Sequence, residues 1–159
     1  MASSATEAAF ECMFLANDAL TRYVAVHDAI RDQQSTVMSM MRSLFGGGPD
    51  FAKLYSDAKA VDELWSAVEK HVGERPTAFG TGFSPSERDF FNALVPYVRA
   101  MKHTTTLLLQ RQKLLVDKSQ GRQISMAEYQ RIERQYADSV QTYVRLGASL
   151  QPLADRLAH

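Results

Sequence analysis

SPSERDFFNALVPYVRAMKHTTTLLLQRQKLLVDKSQGRQISMAEYQRIERQYADSVQTYVRLGASLQPLADRL, from Ser84 to Leu157, is the stretch whose reading decides the fold. It opens on a helix start signal. Ser84 is placed to accept from an orphan amide of the first turn, and Pro85 sits where its missing N–H costs nothing. Glu87 is placed to bond back to the cap. Phe90, Phe91, Leu94, Val98, Met101, Thr105, Leu108 and Leu115 then recur at helical spacing. Gln120-Gly121-Arg122 stops the run, with Gly121 as a left-handed cap. Ser125-Met126-Ala127-Glu128 repeats the start signal. Tyr129, Ile132, Tyr136, Val140, Tyr143, Leu146, Leu150, Leu153 and Leu157 continue as a second stripe. Two long helices joined by so short a turn pack as antiparallel neighbours.

Working outward, Ser4-Ala5-Thr6-Glu7 reads as a third capping box. It opens a stripe of Phe10, Met13, Phe14, Leu20, Tyr23, Val24, His27, Ile30, Val37, Met41 and Leu44. Gly46-Gly47-Gly48 ends that helix in a flexible turn. Asp50 or Pro49 opens another, with Phe51, Leu54, Tyr55, Ala58, Val61, Trp65, Val68 and Val72 as its apolar face. Gly73 is expected to end it, and residues 74–83 to form a loop anchored by Phe79 and Phe83. The expectation is therefore an all-α antiparallel bundle of about four helices, roughly 4–45, 50–72, 84–120 and 125–157, in a single domain over 1–159. Pro96 and Pro152 should kink the two long helices. The β-branched run Thr104-Thr105-Thr106 lowers helix propensity after the first kink.

Composition narrows the function classes. The 159 residues are 45% hydrophobic, enough for a core. Eighteen basic residues balance eighteen acidic ones, which argues against nucleic-acid binding. Residues 1–83 carry seven basic against eleven acidic residues, a balance of −4, and residues 84–159 carry the matching +4. Either the halves attract each other or the second half faces an anionic partner. Cys12 is the only cysteine, so no intrachain disulfide and no multi-cysteine metal site can form. That fits a reducing compartment, and a cytoplasmic setting is expected. The N-terminus lacks a cationic region and apolar core, and a leader already removed leaves no trace in the sequence.

The sequence carries no recognisable catalytic motif. Paired Glu-x-x-His motifs for a di-iron bundle are missing, since Val24, Val68, Ala100 and Arg156 precede the four histidines by three. His27, on an apolar stripe, reads as a hydrogen-bonded core or boundary residue. Cys12, beside Met13 and Phe14, reads as a buried inert thiol. Neither Gly46-Gly47-Gly48 nor Gly80-Thr81-Gly82 carries the lysine and hydroxyl of a phosphate loop. No catalytic, cofactor or metal residue is assigned, and the chain is expected not to be an enzyme.

Two surfaces remain. Met38, Met40 and Met41 with Phe45 cover more than one helix face, so not all can enter one core. They either close the end of the bundle or form a partner or self-association surface, for which methionine is adaptable. Arg111, Lys113, Lys118, Arg122, Arg131 and Arg134 flank the hairpin turn, against Asp117, Glu128 and Glu133. They read as a solvated tip or as one that touches phospholipid headgroups or another acidic surface. Tyr129, Tyr136 and Tyr143, seven apart, serve either a helix–helix interface or packing on the third helix.

Phe45-Gly46 with Phe51-Ala52-Lys53 after a long first helix, the run Asp89-Phe90-Phe91 with Leu94, Tyr97, Val98 and Arg99, and Arg111-Gln112-Lys113 carry a resemblance. In these positions the chain resembles BAR domains of the sorting-nexin type. The resemblance implies a curved antiparallel homodimer that senses or shapes membranes. The residues themselves favour a non-enzymatic scaffold or interaction protein, acting by self-association or as a subunit of a larger assembly. A BAR-like peripheral membrane dimer is the alternative.

Overall fold

A computed structural model describes residues 4–34, 50–80 and 82–158. The described residues form four helices: α1 (Ser4–Gln34), α2 (Phe51–Phe79), α3 (Pro85–Ser119) and α4 (Met126–Leu157). No strand occurs among the described residues. The hairpin of α3 and α4 forms where its start signals place it. Ser84 Oγ accepts from the Glu87 amide at 3.3 Å, and Glu87 Oε2 accepts from the Ser84 amide at 2.7 Å. Ser125 Oγ accepts from the Glu128 amide at 3.1 Å. Between them Gly121 takes φ 87°, a conformation open to glycine, and Arg122 N–H donates to the Asp117 carbonyl at 3.0 Å.

Side-chain pairs fix the directions. Trp65 meets Tyr97 edge-on at 6.3 Å between ring centroids, while Asp62, earlier in α2, reaches Thr105 and Thr106, later in α3. α2 and α3 are thus antiparallel. Arg111 pairs with Glu133, and Gly147 lies opposite Tyr97, so α4 is antiparallel to α3. Thr6 donates to Glu87 Oε1 at 2.6 Å and ties the start of α1 to the start of α3. Glu87 is 3% exposed, held by this bond and by its own cap.

Three expectations need correction. α2 does not stop at Gly73. It runs six residues farther, through Pro76, and ends where Gly80, at φ 55°, donates to the Pro76 carbonyl at 3.2 Å. Tertiary contact carries it past the glycine: Val72 is buried, and Arg75 donates to Glu11 of α1 at 3.0 Å. The anticipated loop shrinks accordingly, and Phe83 packs on Phe91 at 5.1 Å.

The second correction concerns α1. Of the described part of its expected stripe, Phe10 to Ile30, only Tyr23 and Ile30 are buried, while Phe14 is 72% and Val24 42% exposed. The buried seam is Ala5, Ala9, Cys12, Ala16, Ala19 and Tyr23, alternating steps of four and three. Small side chains at that spacing let α1 approach its neighbours closely and push its bulkier residues to the flanks.

The third is the threonine run. Asp62 Oδ1 accepts from Lys102 Nζ at 2.7 Å, Thr105 Oγ1 at 2.9 Å and Thr106 Oγ1 at 3.0 Å. The threonines fasten α3 to α2 rather than merely weakening a helix. Both internal prolines of the hairpin are exposed, and each helix continues through its proline. A hydrogen bond missing on the solvent side lets a helix curve toward the core without ending.

The stretch 35–45, expected to prolong α1, lies outside the described residues, as does the side chain of Ser4. α1 packs along α2 and more narrowly along α3, α2 along α3, and α3 along α4. Neither α1 nor α2 packs broadly along α4.

Candidate functional site

Helix α4 has a long apolar stripe and too few neighbours to cover it. Only Ile132, Tyr136 and Ser139 are buried. Tyr143, Leu146, Leu150, Leu153 and Leu157 are only partly covered. At residues 23–27 and 136–143 the two outer helices meet through rings. Tyr23 Oη lies 2.7 Å from Tyr136 Oη, and His27 Nδ1 lies 2.6 Å from the same oxygen. Tyr23 also meets Tyr143 edge-on at 5.7 Å. Beyond this contact a groove opens between α1 and α4. Met13, Asn17 and Leu20 form one wall, and Tyr143, Gly147 and Leu150 the other. Phe90, Leu94 and Tyr97 of α3 make the floor. Its volume is about 310 Å³. A Cβ at Gly147 would stand 3.2 Å from Tyr97 Cε2, so glycine is what lets α4 settle onto that ring. Burial pushes the Tyr97 hydroxyl up to about 12. The floor therefore stays uncharged at neutral pH.

The ring contact is a polar latch inside apolar surroundings. Burial lowers the His27 pKa; Arg31 and Arg111 act in the same direction and Asp28 against it. With its proton on Nε2, the neutral imidazole accepts from Tyr136, whose own oxygen then accepts from Tyr23; the Nδ1–H tautomer reverses the first bond. Burial pushes Tyr136 up to about 12 and Tyr23 higher, so both remain donors. An imidazole whose folded pKa lies below its unfolded value near 6.5 favours the fold most above that value. The contribution is lost as pH falls through the lowered folded value. Urea titrations between pH 7.5 and 5 should therefore show wild type losing more stability on acidification than His27→Gln. Parallel slopes would mean that His27 is not the group responsible.

Near the other end of α1, Cys12, Glu11, His71 and Arg75 come together. Arg75 reaches Glu11 at 3.0 Å and the His71 ring at 3.0 Å, and His71 lies 3.4 Å from Glu11. Sequence spacing concealed this grouping, because α2 was expected to end before Arg75. Cys12 is fully buried, and burial pushes its thiol up to about 11 despite the nearby guanidinium. A protonated, covered thiol is neither nucleophile nor ligand. Among the described residues no three His, Cys, Asp or Glu side chains converge as metal ligands do.

The basic tip is half neutralised. Arg111, 14% exposed, pairs with Glu133. Lys113 at 2.6 Å and Arg122 at 3.0 Å both bond Asp117 and hold its carboxyl below the usual range. Lys118, Arg131 and Arg134 are exposed with no ion pair among the described residues. Beside Lys118, Leu114, Leu115, Ile124, Met126 and Tyr129 line a cleft of about 330 Å³. Met126 is 64% exposed. Met38, Met40, Met41 and Phe45 lie outside the described residues. The groove between α1 and α4 was not foreseen. Its signal was present in the alanine seam of α1, which places Phe10, Met13 and Phe14 to the side of the core.

Comparison with family models, with curated proteins and with solved structures gives no match. No helix among the described residues is long and apolar enough to cross a membrane.

Proposed function

We propose that this chain is a non-enzymatic helical interaction protein, acting through helix–helix association with itself or as a subunit of a larger assembly in the cytoplasm. The observation that carries this reading is the half-covered stripe of α4 beside an open apolar groove. Helices gain most of their stability from a covered apolar face, and α4 has cover on one side only. Native size in an extract of the source cells tests it. The chain is expected to migrate well above the mass of one copy. Migration as a lone chain at native abundance would count against the reading.

A second reading, peripheral membrane binding by a BAR-like dimer, is favoured by one feature. Lys118 lines an apolar cleft at the hairpin tip, and Arg131 and Arg134 stand exposed farther along α4, which suits a surface of anionic headgroups over acyl chains. Sedimentation with anionic liposomes should then carry the chain down at low salt, less so at high salt, and less with Arg131→Glu and Arg134→Glu combined. No binding at low salt would remove this reading.

A further inference from the structure

Two hydrogen bonds join α1 to α4 among the described residues, and both end on the Tyr136 hydroxyl. One is shared with Tyr23 at 2.7 Å, the other with His27 Nδ1 at 2.6 Å. The His27 ring also stacks on the Tyr136 ring, 6.0 Å between centroids. The first half of α1 is held by other helices. Thr6 bonds Glu87 of α3, and Glu11 bonds Arg75 of α2. The small-residue seam runs from Ala5 to Ala19 and ends on Tyr23. Beyond Tyr23 only Ile30 of α1 is buried. The second half of the helix thus depends on few buried contacts, and the Tyr136 hydroxyl supplies its bonds to α4. A segment held in this way can open while the rest of the bundle stays folded.

The number of protons in the cluster decides when it opens. With the imidazole proton on Nε2, two bonds use two hydroxyl protons: Tyr23 donates to Tyr136, and Tyr136 donates to Nδ1. A second ring proton occupies Nδ1 and removes the acceptor. Tyr136 must then turn its proton back toward Tyr23, and Tyr23, 1% exposed, must turn its own away. The new charge meets no free acid. Asp28, its neighbour on α1, pairs with Arg31 at 3.3 Å. Arg111 of α3 acts on the ring as a second cation and is itself paired with Glu133 of α4. None of the charges that act on the ring comes from α2. Tyr23 and Tyr136 stay neutral, because burial pushes both hydroxyls up. Burial and the two guanidiniums resist a charge on His27. The ring is half-buried, so water is within reach, and the imidazolium gains by leaving the cluster for it.

We propose that this chain carries an acid-operated latch: a proton on His27 Nδ1 frees the second half of α1 from α4, while the first half stays on α2 and α3. The latch opens as pH falls below the ordinary histidine value near 6.5. Amide hydrogen exchange of the intact chain at pH 7.5 and 5.0, each corrected for the intrinsic rate, tests it. Protection over residues 23–30 is expected to fall at pH 5.0 at least tenfold more than over residues 61–72 of α2 and 94–108 of α3. His27→Gln offers Tyr136 an acceptor that does not titrate, so this extra loss should disappear. Tyr136→Phe keeps the ring and loses both bonds, so residues 23–30 should be open already at pH 7.5. Nitrogen NMR shifts of the imidazole should place its neutral proton on Nε2. A neutral proton on Nδ1 would overturn the latch, since that nitrogen would have no acceptor role to lose. Full protection at pH 5.0 with the ring protonated would overturn it too, because the imidazolium would then be accommodated in place. Equal loss across all four helices would replace it with global acid destabilisation. Local opening that persists in His27→Gln would take the trigger away from His27.

Discussion

Asp62→Ala is expected to destabilise the fold by about 3 kcal/mol, lowering the melting midpoint by about 10 °C. Asp62 Oδ1 alone accepts from Lys102, Thr105 and Thr106, and the Asp62 side chain is only 14% exposed. Removal leaves the Lys102 ammonium, 23% exposed, without its counter-ion between two helices. The cost stays below the upper end for buried pairs for two reasons. The lysine can swing its head toward water, and each threonine can turn its single hydroxyl proton from Asp62 to the Lys102 carbonyl, 3.0 and 2.9 Å away. Asp62→Asn retains an acceptor and should cost about 1 kcal/mol. Asp62→Leu combined with Lys102→Met should recover most of the loss, since an apolar pair of similar volume needs no counter-charge. Denaturant melts of the four chains check the order. An Asp62→Ala chain as stable as wild type would mean that the pair contributes nothing.

That cluster illustrates what the sequence made legible. The start signals at Ser84 and Ser125, the stop at Gly121 and the apolar periods of α2, α3 and α4 are local, and each appears where the residues place it. Asp62 and Thr105, forty-three positions apart, meet only once two helices are packed. The threonines therefore read as a weakness when they are a fastening. Gly73 misled for a related reason: its intrinsic cost of about 1 kcal/mol is outweighed by contacts that Val72 and Arg75 make with other helices. On α1, bulk was taken as the mark of burial. Four of the six seam residues are alanines, and Phe14 faces outward. The groove follows from these two facts together, a closely approached α1 and an α4 that it does not cover. Neither can be read from one helix alone.

Tyr97 joins the core to the groove, and Tyr97→Ala should cost about 3–4 kcal/mol. Its ring is 6% exposed and meets Trp65 on one side and Gly147 on the other. Truncation forfeits the aromatic contact with Trp65, a fully buried residue, and opens the groove floor into the bundle. Gly147 has no side chain to move into the gap, so collapse would be incomplete and the cavity term nearly full. An apolar dye should bind the variant more strongly than wild type as the hollow deepens. Tyr97→Phe keeps the ring and should change stability by less than about 1 kcal/mol, with unchanged dye binding. Denaturant melts paired with dye titrations separate the outcomes. Equal losses for alanine and phenylalanine would locate Tyr97's contribution in its hydroxyl. A destabilised alanine variant with wild-type dye binding would mean that the groove floor rests on Phe90 and Leu94 alone.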